Sequence, residues 1–231
     1  MTSSLQPADG APPPPRVVTL SASYGAGGNV VGSKVAERLG VTFVDRAIPV
    51  EVAEHLHTPQ EVAAAYDEQA ARGLGRWFAF LSDAALITGE GVPADVRRQE
   101  GSAEVERRRY VAATEEALGR AAASGAVILG RAGAVVLRTV PGALHVRLDG
   151  PVEARLRQAM VFDGLDAEAS RRRLEANDRA REDYVRGLYG VDPTTAGLYH
   201  LVIDSTSLDL DACVEIIVTA SAARRHAPPS A

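Results

Sequence analysis

Residues 17–45 constrain the fold more than any other stretch of the chain, because they spell a strand, a glycine turn, a helix and a second strand in one short run. Val17-Val18-Thr19-Leu20 is β-branched and apolar, and it leads directly into Ser21-Ala22-Ser23-Tyr24-Gly25-Ala26-Gly27-Gly28. Behind the glycines, Val30, Val31, Val35, Ala36 and Leu39 recur at helical spacing until Gly40 supplies a stop. Val41-Thr42-Phe43-Val44 reads as the second strand, closed by Asp45. A strand–helix–strand unit of this length crosses over right-handed, which makes its two strands parallel.

The rest of the chain extends that unit. Ala126-Val127-Ile128-Leu129 is a buried-strand pattern followed by Gly130-Arg131-Ala132-Gly133. Leu144, Val146 and Leu148 alternate with His145 and Arg147 up to Asp149-Gly150-Pro151, and Leu201-Val202-Ile203-Asp204 is a fifth strand. Pro151 suits the first turn of a helix. Charged helical patterns cover roughly 152–160 and 166–186, and Leu210, Cys213, Ile216, Ile217 and Ala220 mark a closing amphipathic helix. Strands of near-continuous apolar character, separated by helices, predict an α/β fold: a parallel sheet of about five strands flanked by helices.

The predicted domain runs over 16–222, with a proline-rich tail at 1–15 and a loose tail at 223–231. Between about 47 and 124 no strand pattern occurs, and Gly73, Gly75, Gly89, Gly91 and Pro93 break the segment into several helices. This reads as a helical insertion. Its Trp77-Phe78-Ala79-Phe80-Leu81 cluster reads as helix packing, and in its last helix Tyr110, Val111, Thr114, Leu118 and Ala121 share a face.

Composition removes several functional classes. The only cysteine is Cys213, so neither an internal disulfide nor a cysteine-rich zinc site forms. No apolar run approaches the roughly 18 residues of a membrane helix, and 1–16 lacks the apolar core of a secretory signal. The expectation is a cytoplasmic protein with no membrane partner. A net charge of −5 argues against a nucleic-acid polymer as partner. Over 147–186 nine arginines are interleaved with nine carboxylates, which describes solvated helix faces around a local pocket. His55, His57, His145, His200 and His226 are scattered, and His55 and His57 would face apart on a helix, so no metal ligands are assigned. Ser23 and Ser205 carry no nucleophile motif. Gly25-Ala26-Gly27-Gly28 also lacks the third glycine of a dinucleotide fingerprint.

Ligands of parallel α/β folds bind at the carboxyl ends of the strands, which is where the Gly25–Gly28 loop, Asp45, Arg131 and Asp149 fall. Glycines let a backbone curl several N–H groups toward one anion, and a helix N-terminus adds its dipole. A complete Walker A loop would add a lysine and a hydroxyl residue. Aligned with that pattern, Gly28 stands at the lysine and Val30 at the hydroxyl. Lys34 lies too far along the helix to substitute. By its own residues the loop is either a phosphate cradle or a tight turn.

The order of motifs resembles the cytidylate kinase-like family, a P-loop nucleoside monophosphate kinase type. The likeness runs from Ser21–Gly28 and Phe43-Val44-Asp45-Arg46 through Val127–Ala132 and Leu144–Leu148. It continues with Asn177-Asp178-Arg179-Ala180-Arg181-Glu182-Asp183-Tyr184 and ends at Leu201–Thr206 with the final helix, about 16–221 in all. The resemblance implies ATP as phosphate donor, with magnesium, and a nucleoside monophosphate such as CMP as acceptor. It further implies that Tyr24, Gly25, Ala26, Gly27, Gly28, Asn29 and Val30 hold the donor phosphates, while Asp45, Arg131 and Asp178 meet the acceptor. Arg131, Arg155, Arg179 and Arg181 would neutralise the transferring group, the last three from lid-like helices over about 152–190, and 47–124 would be the acceptor-binding insertion. Arginine suits these roles through its planar fork. Relatives of this type commonly carry arginine where this chain has Ala22 and Asn29. Three readings therefore stay open: a nucleotide kinase, a nucleotide-binding regulatory protein with weak or no turnover, and a kinase for another hydroxyl-bearing metabolite.

Overall fold

The computed structural model describes residues 16–45, 108 and 111–224. The proline-rich segment 1–15, the end of the chain from 225, and most of the 47–124 insertion, Trp77–Leu81 included, lie outside the described residues.

The strands are β1 (Val17–Ala22), β2 (Thr42–Val44), β3 (Ala126–Leu129), β4 (Leu144–Asp149) and β5 (Leu201–Asp204). They form one sheet in the order β2-β3-β1-β4-β5, with every pairing parallel. The helices are α1 (Gly28–Leu39), α2 (111–124), α3 (Gly133–Val136), α4 (Val152–Asp163), α5 (Ala167–Tyr189) and α6 (Leu210–Arg224). β1 and β2 are parallel as the crossover requires, but they are not neighbours, because β3 inserts between them. Four-residue α3 had no periodic signal to announce it. Pro151 stands at the N-cap of α4, just outside the first turn in which the sequence suggested it.

Each strand's alternation decides which helices cover it. Val18, Leu20 and Ala22 of β1 face Val31, Val35 and Leu39 of α1 and Cys213, Val214 and Ile217 of α6 in one core. Val17, Ala126 and Ile128 face the other way, onto Leu118 and Ala122 of α2 and onto Leu137. Most of these side chains are almost fully buried. At about 25 cal/mol per Å2 of apolar surface, such burial is the main support of the fold. Exposed ion pairs from Lys34 to Asp211 and from Arg38 to Glu215 also join α1 to α6, but pairs of this kind contribute little.

The second face turns polar between β1 and β4, where Thr19 lies beside His145 and Ser21 beside Arg147. Thr19 Oγ1 and His145 Nδ1 are 2.8 Å apart. The His145 backbone N–H donates to Nδ1 of His200 at 2.9 Å, and the two imidazoles stack with centroids 5.0 Å apart. Burial, helped by His200 and Arg224, pulls the His145 pKa down to about 4. An unfolded imidazole titrates near 6.5, so the unfolded chain binds the extra proton between those values. This contribution is complete above pH 6.5 and is lost as pH falls toward 4, about 3 kcal/mol in total. Denaturant titrations from pH 7 to 4 should show that slope, and His145→Asn should flatten it. An equal slope in both proteins would discard the assignment.

Two strands lie on one side of β1 and two on the other. The chain therefore reverses direction across the sheet at β1, and the crevice at its carboxyl end is where such folds bind ligands.

Candidate functional site

The glycine loop begins as β1 runs out. Ser23 N–H still donates to the Leu148 carbonyl at 3.0 Å, and Ala26 N–H turns back to the Ser23 carbonyl at 3.0 Å. Gly25 and Gly27 take left-handed φ values of 79° and 71°, which glycine adopts at no steric cost. Gly27 is the N-cap of α1; no side chain caps the helix, and no acidic residue stands in its first turn. Those first amides, with the positive end of the dipole, suit an anion.

Two helices are fastened onto this loop through the peptide of Tyr24. Its N–H donates to Asp178 Oδ1 of α5 at 2.9 Å, and its carbonyl accepts from Arg155 Nη1 of α4 at 2.9 Å. Arg155 is only 6% exposed. The same Nη1 also donates to Asp178 Oδ2 at 2.7 Å, and Nε donates to the Gly150 carbonyl at 2.9 Å. Asp178 accepts in addition from Arg181 at 3.0 Å. Further along α4, Asp163 accepts from the Tyr24 hydroxyl. Burial and that carboxylate together push the Tyr24 pKa up to about 12. Gly25 makes the close approach possible, since a Cβ there would stand 2.2 Å from the Arg155 carbonyl oxygen.

Beside this junction is a small cavity of about 100 Å3 lined by Ser21, Ser23, Arg147, Asp149, Arg155, Asp178, Arg181, Glu182, Pro193 and Thr194. Arg147 grips Asp149 Oδ2 through Nε at 3.1 Å and Nη2 at 2.6 Å, and donates to the Pro193 carbonyl at 2.8 Å. Burial pushes the Asp149 pKa up, but hydrogen bonds from Gly150 N–H and Ser23 and the charge of Arg147 outweigh it and hold the group below its usual value. Three guanidiniums and three carboxylates line the cavity, so its charge is balanced. It offers paired donors and acceptors, the chemistry that reads a polar group of defined shape.

Of the residues singled out from sequence, Tyr24, Gly25, Arg155, Asp178 and Arg181 meet at this junction. The others lie elsewhere. Arg131 follows β3, across β1 from the cavity. Both Arg131 and Ala132 have φ of 53°, a left-handed conformation that costs L-residues on the order of 1 kcal/mol or more each. Gly130 N–H, bonded to the Leu20 carbonyl at 2.8 Å, ties this turn to the end of β1. Arg179 is exposed on α5 and has no ion-pair partner among the described residues. Asp45 is half-buried just past β2, Asn29 is exposed, and Val30 is half-buried. Ala26 is fully buried, its carbonyl accepting from Ser205 Oγ at 2.8 Å.

Gly28, aligned with the lysine of the Walker pattern, is packed tightly against β1 and β3. A Cβ at this position would stand 2.5 Å from Ala22 Cβ and 3.2 Å from a Leu129 methyl. Position 28 therefore looks into the core, not into the loop mouth, and no lysine fits there. Arg147, Ser21, Ser23, Glu182 and Thr194 also line the cavity, and no sequence motif marks them for it. For Arg147 a signal existed: the alternation of β4 places 145, 147 and 149 on one face.

Among the described residues, no group of three or more His, Cys, Asp or Glu side chains is arranged to hold a metal ion, and no helix is long and apolar enough to cross a membrane.

A model of the cytidylate kinase-like family matches residues 17–207. A cytidylate kinase of Methanopyrus kandleri is 33% identical over 77 residues, covering 33% of this chain and 40% of that one. A uronate isomerase of Corynebacterium glutamicum is 35% identical over 98 residues, 42% of this chain and 19% of that one. The match thus spans less than half the length of either relative. The crystal structure of an uncharacterized protein from Eubacterium ventriosum superposes with a TM-score of 0.58 at 14% identity, covering 90% of this chain and 99% of that one. That likeness is one of fold.

Proposed function

The chain belongs to the cytidylate kinase-like family, and from that premise we propose that it transfers the γ-phosphate of ATP to a nucleoside monophosphate such as CMP. The observation that carries this reading is the uncapped N-terminus of α1, presented by a glycine loop at the carboxyl end of the central strand, beside a cavity lined by three arginines and three carboxylates. In the transfer, the bond from the γ-phosphorus to the β,γ-bridging oxygen breaks and one to an acceptor phosphate oxygen forms. ADP is released. The protein's part is positioning and charge neutralisation. On this reading the first amides of α1, from Gly28 to Val30, bind the donor phosphates, while Arg131 and Arg181 approach the acceptor from opposite sides of β1. Asp45 and Asp178 orient it. Magnesium would arrive on the nucleotide's phosphates and neutralise part of their charge; Val30 has no side-chain oxygen with which to hold it.

A second reading, nucleotide binding with weak or no turnover, is favoured by one observation. Arg155 is already occupied by two carbonyls and Asp178, so it is not available to the transferring group as the structure stands.

The test is ADP release with ATP, magnesium and a panel of nucleoside monophosphates, with binding measured by calorimetry. Turnover that requires one monophosphate is expected, and Arg131→Ala should reduce it by a factor of several hundred while leaving the fold intact. Unchanged turnover in Arg131→Ala would remove that residue from the chemistry. Binding without turnover would move the protein to the second reading.

A further inference from the structure

The peptides of the glycine loop are not all held in the same way. Ala26 N–H donates to the Ser23 carbonyl at 3.0 Å, which fixes the peptide before Ala26. The Gly27 carbonyl accepts from Val31 N–H at 3.0 Å, which fixes the peptide after Gly27. The peptide between Ala26 and Gly27 takes part in neither bond. Among the described residues its one hydrogen bond comes from Ser205, whose Oγ donates to the Ala26 carbonyl at 2.8 Å. Ser205 is fully buried and directly follows β5. Its own N–H donates to the Asp149 carbonyl at 3.1 Å, so its seat continues the ladder between β4 and β5. The Asp149 carbonyl also lies 3.4 Å from Oγ, but the hydroxyl has a single proton and the Ala26 oxygen is the nearer acceptor.

The backbone alone does not decide which way that peptide faces. Turning it over changes ψ of Ala26 and φ of Gly27, and glycine tolerates φ of either sign; here it is 71°. A planar trans peptide points its C=O and its N–H in opposite directions. With the Ala26 oxygen held on Ser205, the Gly27 N–H is turned away from the buried seat. Turned over, the loop would offer a carbonyl oxygen in its place. The first arrangement suits an anion and the second repels one. We propose that Ser205 is a positioning residue of the glycine loop, its hydroxyl selecting the peptide orientation in which Gly27 presents an N–H to the donor phosphates. This rests on the reading of the loop as the donor-phosphate site. Ser205 touches no substrate and acts through the Ala26 carbonyl. Its loss should therefore weaken phosphate binding at the loop and leave the acceptor side as it was.

The experiment compares the wild-type chain with Ser205→Ala, which removes the hydroxyl, and Ser205→Cys, of nearly the same shape with a weaker donor. Calorimetry against ATP, inorganic tripolyphosphate and CMP reads affinity, and the amide resonance of Gly27 reads the loop. In the wild-type chain that resonance should move when tripolyphosphate is added. Ser205→Ala should bind ATP and tripolyphosphate about tenfold more weakly, with CMP within about twofold of wild type and a smaller Gly27 response. Ser205→Cys should fall between the two, and it decides the matter if Ser205→Ala does not fold. Unchanged tripolyphosphate affinity in both variants would overturn the proposal alone, as would a Gly27 resonance that tripolyphosphate leaves in place. Equal losses for tripolyphosphate and CMP would assign Ser205 to the stability of the fold instead. A wild-type chain that binds neither ATP nor tripolyphosphate would overturn the loop reading and this proposal with it.

Discussion

Arg155→Ala is expected to lower the free energy of unfolding by about 3 kcal/mol and the melting temperature by roughly 6–12 °C for a domain of this size. The side chain is almost fully buried and serves three acceptors on three elements: the Gly150 carbonyl after β4, the Tyr24 carbonyl in the glycine loop and Asp178 on α5. Truncation leaves two carbonyls without this donor and a carboxylate without its nearest cation. Breaking a buried ion pair from one side costs about 3–5 kcal/mol because the remaining charge stays uncompensated. The lower end applies here, since Asp178 keeps Arg181 and the Tyr24 amide. Arg155→Lys keeps the charge, but a single ammonium lacks the planar fork that spans all three acceptors, so it should recover only part of the loss. Denaturant titration measures the energy, and hydrogen exchange at Tyr24 locates it. A loss below about 1 kcal/mol would show that the contacts with the loop are not what holds α4 and α5 in place.

The same arginine marks where sequence reading stops. All five strands were legible, because a strand buried on both faces writes itself as an apolar run, as in Ala126–Leu129, and one with a polar row writes an alternation, as in Leu144–Asp149. Sheet order was not legible. That β3 slides between β1 and β2 depends on which helices share a face, and no local pattern records it. For the site, glycine spacing placed the loop and the strand ends located the crevice. Which arginines face it was a different matter. Arg155, Arg179 and Arg181 look alike in a charged helical stretch, yet Arg155 is buried in contact with backbone, Arg181 lines the cavity, and Arg179 points to solvent. A helix carries residues one position apart about 100° around its axis, so neighbours in sequence end up with unrelated surroundings.

Gly28→Lys, the substitution that would complete the Walker pattern on paper, is expected to unfold the domain or leave it insoluble, with a loss of more than 3 kcal/mol. Two costs add. A Cβ at position 28 meets Ala22 Cβ at 2.5 Å, and Ala22 is a buried strand residue in the middle of the sheet that cannot swing aside. Overpacking of this kind costs about 1–3 kcal/mol before the rest of the side chain is placed. The ammonium would then end among Leu129, Ala22 and the first core, where an unpaired charge costs several kcal/mol more. Gly28→Ala separates the terms, since it carries the clash without the charge and should fall between wild type and lysine. Asn29→Lys provides the contrast: position 29 is exposed, so that variant should fold with a change within about 0.5 kcal/mol. Circular dichroism melts and soluble yield report all three. If Gly28→Lys folded as stably as Asn29→Lys, the loop in solution would have to be rotated from the arrangement seen here, with position 28 turned to the mouth. If it fails as expected, the missing lysine reflects how α1 is seated on β1 and β3, and any cation at this loop has to arrive from another element.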